Sequence, residues 1–181
     1  MFFAEIIAVN YPTGINSLTI LVITTTLDFM TGDLQAEIKQ NKPFSSLEEE
    51  VFLNLQRTAN VLTGKISTVL KPFELSHIQY NVLRILRGSG KGLACSEIGE
   101  RLVTKDPDIT RLLDRLEKRG LILRERYARD KRVIIVRITD AGREVLRALD
   151  GDIDLAPRKL LGHLGKEMLE KLNALLILAR K

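Results

Sequence analysis

The feature that most constrains this chain is a change of hydrophobic period between residues 93 and 142. Residues 107–119 repeat apolar side chains at the i, i+3, i+4, i+7 spacing of a helix with one buried face. These side chains are Ile109, Leu112, Leu113 and Leu116. Gly120 follows at once, as expected of a glycine that ends a helix. Residues 121–127 and 132–139 then carry strand patterns, and the four residues between them suffice to turn an antiparallel hairpin.

A second, shorter helix is predicted over residues 96–103. Its apolar side chains are Ile98, Leu102 and Val103. After a turn at residues 104–106, Asp106 is expected to cap the next helix and Pro107 to take its first helical position. Gly99 costs ~1 kcal/mol relative to alanine inside a helix, so we expect it to allow close approach of the next helix. Two helices followed by a hairpin indicate a helix-turn-helix with a β wing.

The positive charge of the chain is concentrated in the same segment. The whole chain has a net charge of +5, with 28 Lys or Arg and 23 Asp or Glu. Between Arg101 and Arg137 there are 12 Lys or Arg and 6 Asp or Glu, so the remainder of the chain is at −1. A basic excess confined to one structural unit indicates a polyanionic partner. We therefore interpret this segment as a unit that reads DNA, and a merely solvated basic face is the alternative.

Two helices are predicted before this unit. The first begins at Ser45 or Ser46, either of which can cap it, and ends before Pro72. Its length indicates a subunit interface, although a plain core role is also open. The second helix begins at Ser76 and ends in the glycine-rich turn at residues 88–90.

The hairpin is expected to face the rest of the domain through Leu121, Leu123, Val133 and Ile135. Two further helices follow it. Thr139 is expected to cap the first of these, and Pro157 to kink or break it. The last helix covers residues 166–180 and has a broad apolar face. That face consists of Met168, Leu169, Leu172, Leu175, Leu176 and Ala179.

Residues 1–29 do not fit this pattern. They contain no Lys or Arg, and their apolar run at residues 18–23 is far shorter than the ~20 residues of a membrane-spanning helix. We hypothesise that residues 1–29 are an N-terminal extension of doubtful order, translated from an upstream start, and that Met30 is the functional start. The domain would then cover residues 30–181.

Several classes of site are not expected. Cys95 is the single cysteine, so no intramolecular disulfide can form, which fits the cytoplasm. One cysteine and two separated histidines, His77 and His163, do not make a usual zinc site. The sequence has no nucleophile–base pair and no phosphate-binding glycine loop, so neither an enzyme nor a cofactor is expected.

Two stretches carry a resemblance to a known family. They are PDITRLLDRLEKRGLI at residues 107–122 and RDKRVIIVRITDAG at residues 129–142. The second matches a wing signature of Asp-x-Arg, a strand and Leu-Thr-x-x-Gly, with Ile138 in place of the leucine. Over roughly residues 44–181 the chain resembles the MarR family of winged helix-turn-helix transcriptional regulators.

The resemblance implies a mainly α fold with a small antiparallel β wing. A winged helix-turn-helix lobe would cover about residues 76–142, flanked by dimerisation helices at about 44–71 and 143–181. It further implies a homodimer on a pseudo-palindromic operator in double-stranded DNA, repression as the commoner mode, and release by a small-molecule inducer. A winged helix that binds protein without responding to a ligand is the alternative, and it predicts exposed apolar residues on the recognition face.

The N-terminal residues of a recognition helix reach base edges in the major groove. The candidate DNA-binding residues here are Pro107, Asp108, Thr110, Arg111, Asp114, Arg115 and Lys118. We expect Thr110 and Arg111 to contact bases, and Arg115 and Lys118 to contact phosphates. Asp114 is expected to orient a nearby arginine.

The wing of the family places an arginine in the adjacent minor groove, where narrow width concentrates negative potential. The matching position here is Arg132, which Asp130 would hold by an ion pair. Arg129 and Lys131 would then meet phosphates. A charged hairpin tip that serves only solubility is the alternative.

A ligand site is implied in the cleft between the dimer helices and the DNA-binding lobe. Arg57, His77 and Tyr80 are the polar candidates for it, although such residues are often satisfied core or surface groups. Cys95 precedes a helix, where a thiolate could be stabilised, but burial as a small apolar side chain is favoured.

Overall fold

The computed structural model describes residues 34–104, 108–127 and 130–181, and these residues divide between Leu55 and Gln56 into two compact units. Helix α1 (Leu34–Glu37) lies in the first unit, and helix α2 (Leu47–Leu70) begins in the first and ends in the second. The Ser46 hydroxyl accepts a hydrogen bond from the backbone N–H of Glu49. This cap confirms one of the two predicted starts of the long helix.

The second unit continues with a 3₁₀ turn (Lys71–Phe73) and helix α3 (His77–Ser89). Ser76 and Gln79 form a capping box at the start of α3, in which each side chain accepts from the other residue's backbone N–H at 3.2 and 2.9 Å. Two orphan donors of the first helical turn are thereby satisfied. The predicted start at Ser76 and end at the glycine-rich turn are confirmed.

The central part consists of β1 (Leu93–Ala94), α4 (Cys95–Arg101), α5 (Ile109–Lys118), β2 (Ile122–Tyr127) and β3 (Asp130–Ile138). The three strands form an antiparallel sheet in the order β1-β3-β2. Since β2 and β3 are joined by a short connection, they form the wing that the sequence predicts. In strand β1, which leads directly into α4, Leu93 pairs with Val136 of β3. This pairing joins the wing to the start of the helix-turn-helix.

Helix α6 (Asp140–Leu161), a 3₁₀ turn (Gly162–Leu164) and helix α7 (Gly165–Leu178) complete the chain. The Thr139 hydroxyl accepts from the backbone N–H of Gly142 at 3.1 Å and donates to the carbonyl of Gly120 at 2.7 Å. The predicted cap of α6 is therefore confirmed, and it also links α6 to the end of α5. Of the two predicted effects of Pro157, a kink or a break, the break is wrong, because α6 continues through this residue.

The core of the second unit gathers side chains from α2 to α6 around α5. Its fully buried members are Leu70, Val82, Leu83, Leu86, Leu93, Ile98, Leu113, Leu116, Ile122, Val136, Leu146 and Leu149. Burial of leucine-sized side chains of this kind contributes about 1.5–3 kcal/mol each relative to exposure. This core holds α5 from behind and leaves its opposite side in solvent.

Within the strands, the predicted inward face of the wing is wrong by one residue. Leu121 is buried as predicted, but Leu123 is 36% exposed, and Val133 and Ile135 are only partly buried. The buried strand residues are instead Ile122, Val136 and Ile138. Because side chains alternate along a strand, a shift of one residue exchanges the two faces.

Two predictions for the first helix of the helix-turn-helix are also wrong. Helix α4 ends at Arg101, and Val103 is 77% exposed in the turn that follows. A Cβ on Gly99 would lie 3.7 Å from Ile109 Cδ1, which is an ordinary contact. The close approach of the next helix therefore does not require glycine at this position.

Candidate nucleic-acid interface

Helix α5 is set in place by its apolar side and its C-terminal end. Leu112, Leu113 and Leu116 are buried in the core. At the end of the helix, Gly120 takes φ +68°, its N–H donates to Glu117 O, and the N–H of Leu121 donates to Leu116 O. This pair of bonds is a Schellman motif, which requires the left-handed conformation that glycine adopts without strain. The predicted role of Gly120 is confirmed.

Helix α5 begins at Ile109, two residues later than the predicted start at Pro107. Asp108 is the N-cap, and its Oδ1 accepts from the backbone N–H of Arg111 at 3.2 Å. The predicted cap, Asp106, and the predicted first helical residue, Pro107, both lie outside the described part of the chain. The same Asp108 carboxylate pairs with Arg111 Nε at 3.1 Å, while the Arg111 side chain remains 79% exposed.

The solvent side of α5 is polar and mostly cationic. Thr110, Arg111, Arg115 and Lys118 are all exposed. These are four of the residues expected to face DNA, and no large apolar side chain of α5 accompanies them on the exposed side. The geometry therefore offers a cationic helix face, backed by buried leucines, to a partner in solvent.

Asp114 and Glu117 point toward the wing and share one arginine. Arg124 on β2 donates from Nη2 to Asp114 Oδ1 at 2.6 Å and to Glu117 Oε2 at 2.6 Å. Its Nε donates to Glu117 Oε2 at 2.8 Å, and its backbone N–H to Glu117 Oε1 at 3.1 Å. The hydrogen bond to Glu117, and then that to Asp114, raises the pKa of Arg124 above its ordinary value. Asp114 thus has the arginine partner that the sequence predicted without naming it.

Arg119 anchors the other end of the same helix. Its Nη1 donates to the carbonyl of Glu74 at 2.6 Å and its Nη2 to the carbonyl of Phe73 at 2.8 Å. Glu74, which caps the end of the 3₁₀ turn, has φ +52° and is itself in the left-handed region. The sequence did not indicate the roles of Arg119 and Arg124. The carbonyl partners of Arg119 are distant in the chain, and the carboxylate partners of Arg124 lie on another element at no helical spacing from it.

The wing presents further cations. Arg132 on β3 and Arg126 on β2 are exposed. Arg137 pairs with Glu125 across the two strands at 3.3 Å, on the face away from Arg124. Of the other predicted wing residues, Arg129 and the side chains of Asp130 and Lys131 lie outside the described part of the chain.

The predicted ligand-binding residues occupy different environments. Tyr80 is 6% exposed and belongs to the core, and burial raises its pKa. His77 is half-buried, and its pKa is lowered first by burial and then by the positive charge of Arg84. Arg57 lies exposed on α2. The positive charge of Arg84 also acts on Tyr80, where it lowers the pKa against the larger effect of burial.

Cys95 begins α4 and is partly buried. Burial raises the pKa of its thiol, with Arg124 opposing. A raised pKa disfavours the thiolate, which fits the apolar role over a reactive one. In the described ranges, no three His, Cys, Asp or Glu side chains converge as metal ligands would. Nor does any described helix combine the length and apolarity needed to cross a bilayer.

Comparison with known proteins places this arrangement in a family. The sequence pattern of the MarR family matches residues 75–134. A MarR transcription factor from Planctomyces limnophilus, known from its crystal structure, is 41% identical. The match covers 75% of this chain and 99% of that protein, with a TM-score of 0.58. The chain belongs to the MarR family.

Two other relatives of this MarR-family chain bear on its fold and function. TtmR of Methylorubrum extorquens (strain PA1), an HTH-type transcriptional regulator, is 32% identical over 126 residues. The match covers 70% of this chain, which spans 62% of the length of TtmR. CouR, a transcriptional repressor whose structure was solved bound to a 23-mer DNA duplex, is 26% identical with a TM-score of 0.68. That match covers 78% of this chain and 100% of CouR. These relatives are regulators of transcription and not enzymes, and the predicted winged helix-turn-helix fold is confirmed.

Proposed function

We propose that this chain is a DNA-binding regulator of transcription that reads a pseudo-palindromic operator. The observation that carries the proposal is the exposed cationic side of α5, held by buried leucines beside a basic hairpin. A helix of this kind fits the ~12 Å major groove of B-DNA. The relative CouR is a repressor bound to a DNA duplex, which supports the same partner for this chain.

In this proposal Thr110 and Arg111 contact bases. An arginine can donate two hydrogen bonds to guanine, so Arg111 would be the stronger reader. Its ion pair with Asp108 holds the guanidinium near the N-terminal turn, where a recognition helix approaches base edges. Pro107 and Asp108 shape this approach, and Arg115 and Lys118 contact phosphates further along the helix.

The wing supplies the second contact. Arg132 would enter the adjacent minor groove, with Asp130 holding it, and Arg129 and Lys131 would meet phosphates. The proposal that the winged helix binds protein instead is less well supported, because the exposed side of α5 carries Thr and Arg side chains and not apolar ones.

A homodimer is part of the proposal, because apolar side chains remain uncovered in each unit. On α7, no residue is buried, and Met168, Leu172 and Leu175 form an exposed stripe at i, i+4 and i+7. In the first unit, α2 exposes Leu47, Val51 and Phe52. A second copy of the chain would cover these faces and would present two recognition helices to a two-fold symmetric site.

Repression and release by a small molecule complete the proposal. Both rest on the family, in which repression is the commoner mode. Arg57, His77 and Tyr80 remain the proposed ligand contacts.

The test is a mobility-shift titration of the full chain on duplex DNA from upstream of its own gene. Arg132→Ala should weaken binding by ~1–3 kcal/mol. Arg147→Ala removes an arginine whose ion pair with Glu144 is exposed on α6, and it serves as the matched control. An Arg132→Ala affinity equal to that of the control would remove the wing from the proposal.

A further inference from the structure

Arg124 is the side chain that joins the recognition helix to the wing by direct ion pairs. It lies on β2, and both of its carboxylate partners, Asp114 and Glu117, lie on α5. The Glu117 carboxylate also accepts a hydrogen bond from the backbone N–H of Arg124. Four hydrogen bonds therefore fix the strand against the helix at one point.

The contact differs from an ordinary surface ion pair. The Arg124 side chain is only 23% exposed, and its planar fork engages two carboxylates at once. Charge-assisted bonds of this geometry are stronger and more directional than single ones. An exposed pair, by contrast, typically contributes at most about 1 kcal/mol.

The same hairpin contains a natural comparison. Arg137 and Glu125 form an ion pair between β2 and β3 at 3.3 Å, with both side chains about half exposed. That pair lies within the hairpin, whereas the Arg124 contacts run from the hairpin to α5. The two arginines carry the same charge on the same wing and differ in what they join.

We propose that Arg124 is a positioning residue that sets the wing at a fixed angle to α5. The inference rests on the proposed function, because the angle matters only if α5 and the wing meet one DNA duplex together. Arg124 itself does not contact DNA. Its fork keeps Asp114 and Glu117 directed at the wing and away from the phosphates, and it aligns Arg111 and Arg132 with neighbouring grooves.

The experiment compares Arg124→Lys and Arg124→Ala with Arg137→Ala in the full chain. The specific probe is a duplex recovered by wild-type selection from a randomised library, and the non-specific probe is mixed-sequence calf-thymus DNA. Titrations at several salt concentrations give the affinity for each probe and the salt slope. Hydrogen exchange of the β2 amides, measured without DNA, reports whether the wing remains fixed on α5.

Arg124→Lys retains the charge but cannot hold both carboxylates in a fork. We expect it to lower affinity for the selected duplex about tenfold, as loss of one charge-assisted bond would. Affinity for mixed-sequence DNA should stay near wild type, and β2 amides should exchange faster. Arg137→Ala should keep the wild-type ratio of the two affinities. In Arg124→Ala the salt slope should be unchanged, since no phosphate contact is lost.

Three results would overturn the inference. An unchanged affinity ratio in Arg124→Lys would show that charge alone suffices. A salt slope reduced by about 0.9 in Arg124→Ala would make Arg124 a direct phosphate contact. Unchanged β2 exchange would show that the wing does not depend on Arg124. If the wild-type chain selects no duplex at all, the proposed function fails, and the exchange measurement still decides whether Arg124 fixes the wing.

Discussion

Leu175 on α7 offers a direct test of the proposed dimer. It is 63% exposed in the protomer, so its replacement should leave protomer stability within about 0.5 kcal/mol. Full burial of a leucine contributes about 1.5–3 kcal/mol, so covering the exposed fraction would contribute about 1–2 kcal/mol per copy. A two-fold interface contains the residue twice, which gives about 2–4 kcal/mol, or roughly 30- to 1000-fold in the dissociation constant.

Leu175→Ala should therefore raise the dimer dissociation constant by that factor, and Leu175→Glu should abolish the dimer because it would bury a carboxylate. Sedimentation velocity over a concentration series measures both variants. Glu170→Ala, on the opposite side of α7, is the control and should sediment as wild type. The reasoning is refuted if the wild-type chain is monomeric throughout, or if Leu175→Glu still forms the wild-type dimer.

Two further predictions concern stability. A Cβ at Gly142 would lie 2.3 Å from the carbonyl oxygen of Leu121, so Gly142→Ala should destabilise the fold by about 1–3 kcal/mol. Gly151 lies in the same helix with open space around it, so Gly151→Ala should stabilise the fold by up to about 1 kcal/mol. Urea denaturation measures both, and equal effects would contradict the packing argument. The hydrogen bond from Arg87, at 2.8 Å to each oxygen of Asp150, lowers the pKa of that carboxyl in the fold. The stabilisation from this ion pair is present above the unfolded pKa of about 3.9 and is lost as pH falls through the lower folded value. Asp150→Asn should therefore reduce the acid-induced loss of stability below about pH 4. Because both side chains are about one third exposed, the effect should be small, and an unchanged acid slope would exclude it.

The sequence was sufficient wherever a local rule decided the structure. The caps at Ser76 and Thr139 and the glycine end of α5 all follow from residues within a few positions of one another. The period of the leucines in α5 likewise predicted its buried side. The start of α5 was misassigned because Asp106 and Asp108 both suit an N-cap, and only tertiary geometry chooses between them.

The strands show where local pattern is insufficient. Residues 133–136 are all apolar, so alternation cannot say which of them face the core. Pairing of Val136 with Leu93 decides it, and that contact joins segments 43 residues apart. The partner of Asp114 was equally undetermined, because Arg124 reaches it only once β2 packs against α5.

The central claim is that α5 and the wing together read one duplex. DNase protection on DNA from upstream of the chain's own gene tests it most directly. We predict a protected segment with two-fold symmetric half-sites about one helical turn apart, or a multiple of it. The segment should lose protection in Arg111→Ala. The claim would be contradicted if no segment were protected at protein concentrations that retard the same fragment in a mobility-shift gel. An unchanged footprint in Arg111→Ala would also contradict it.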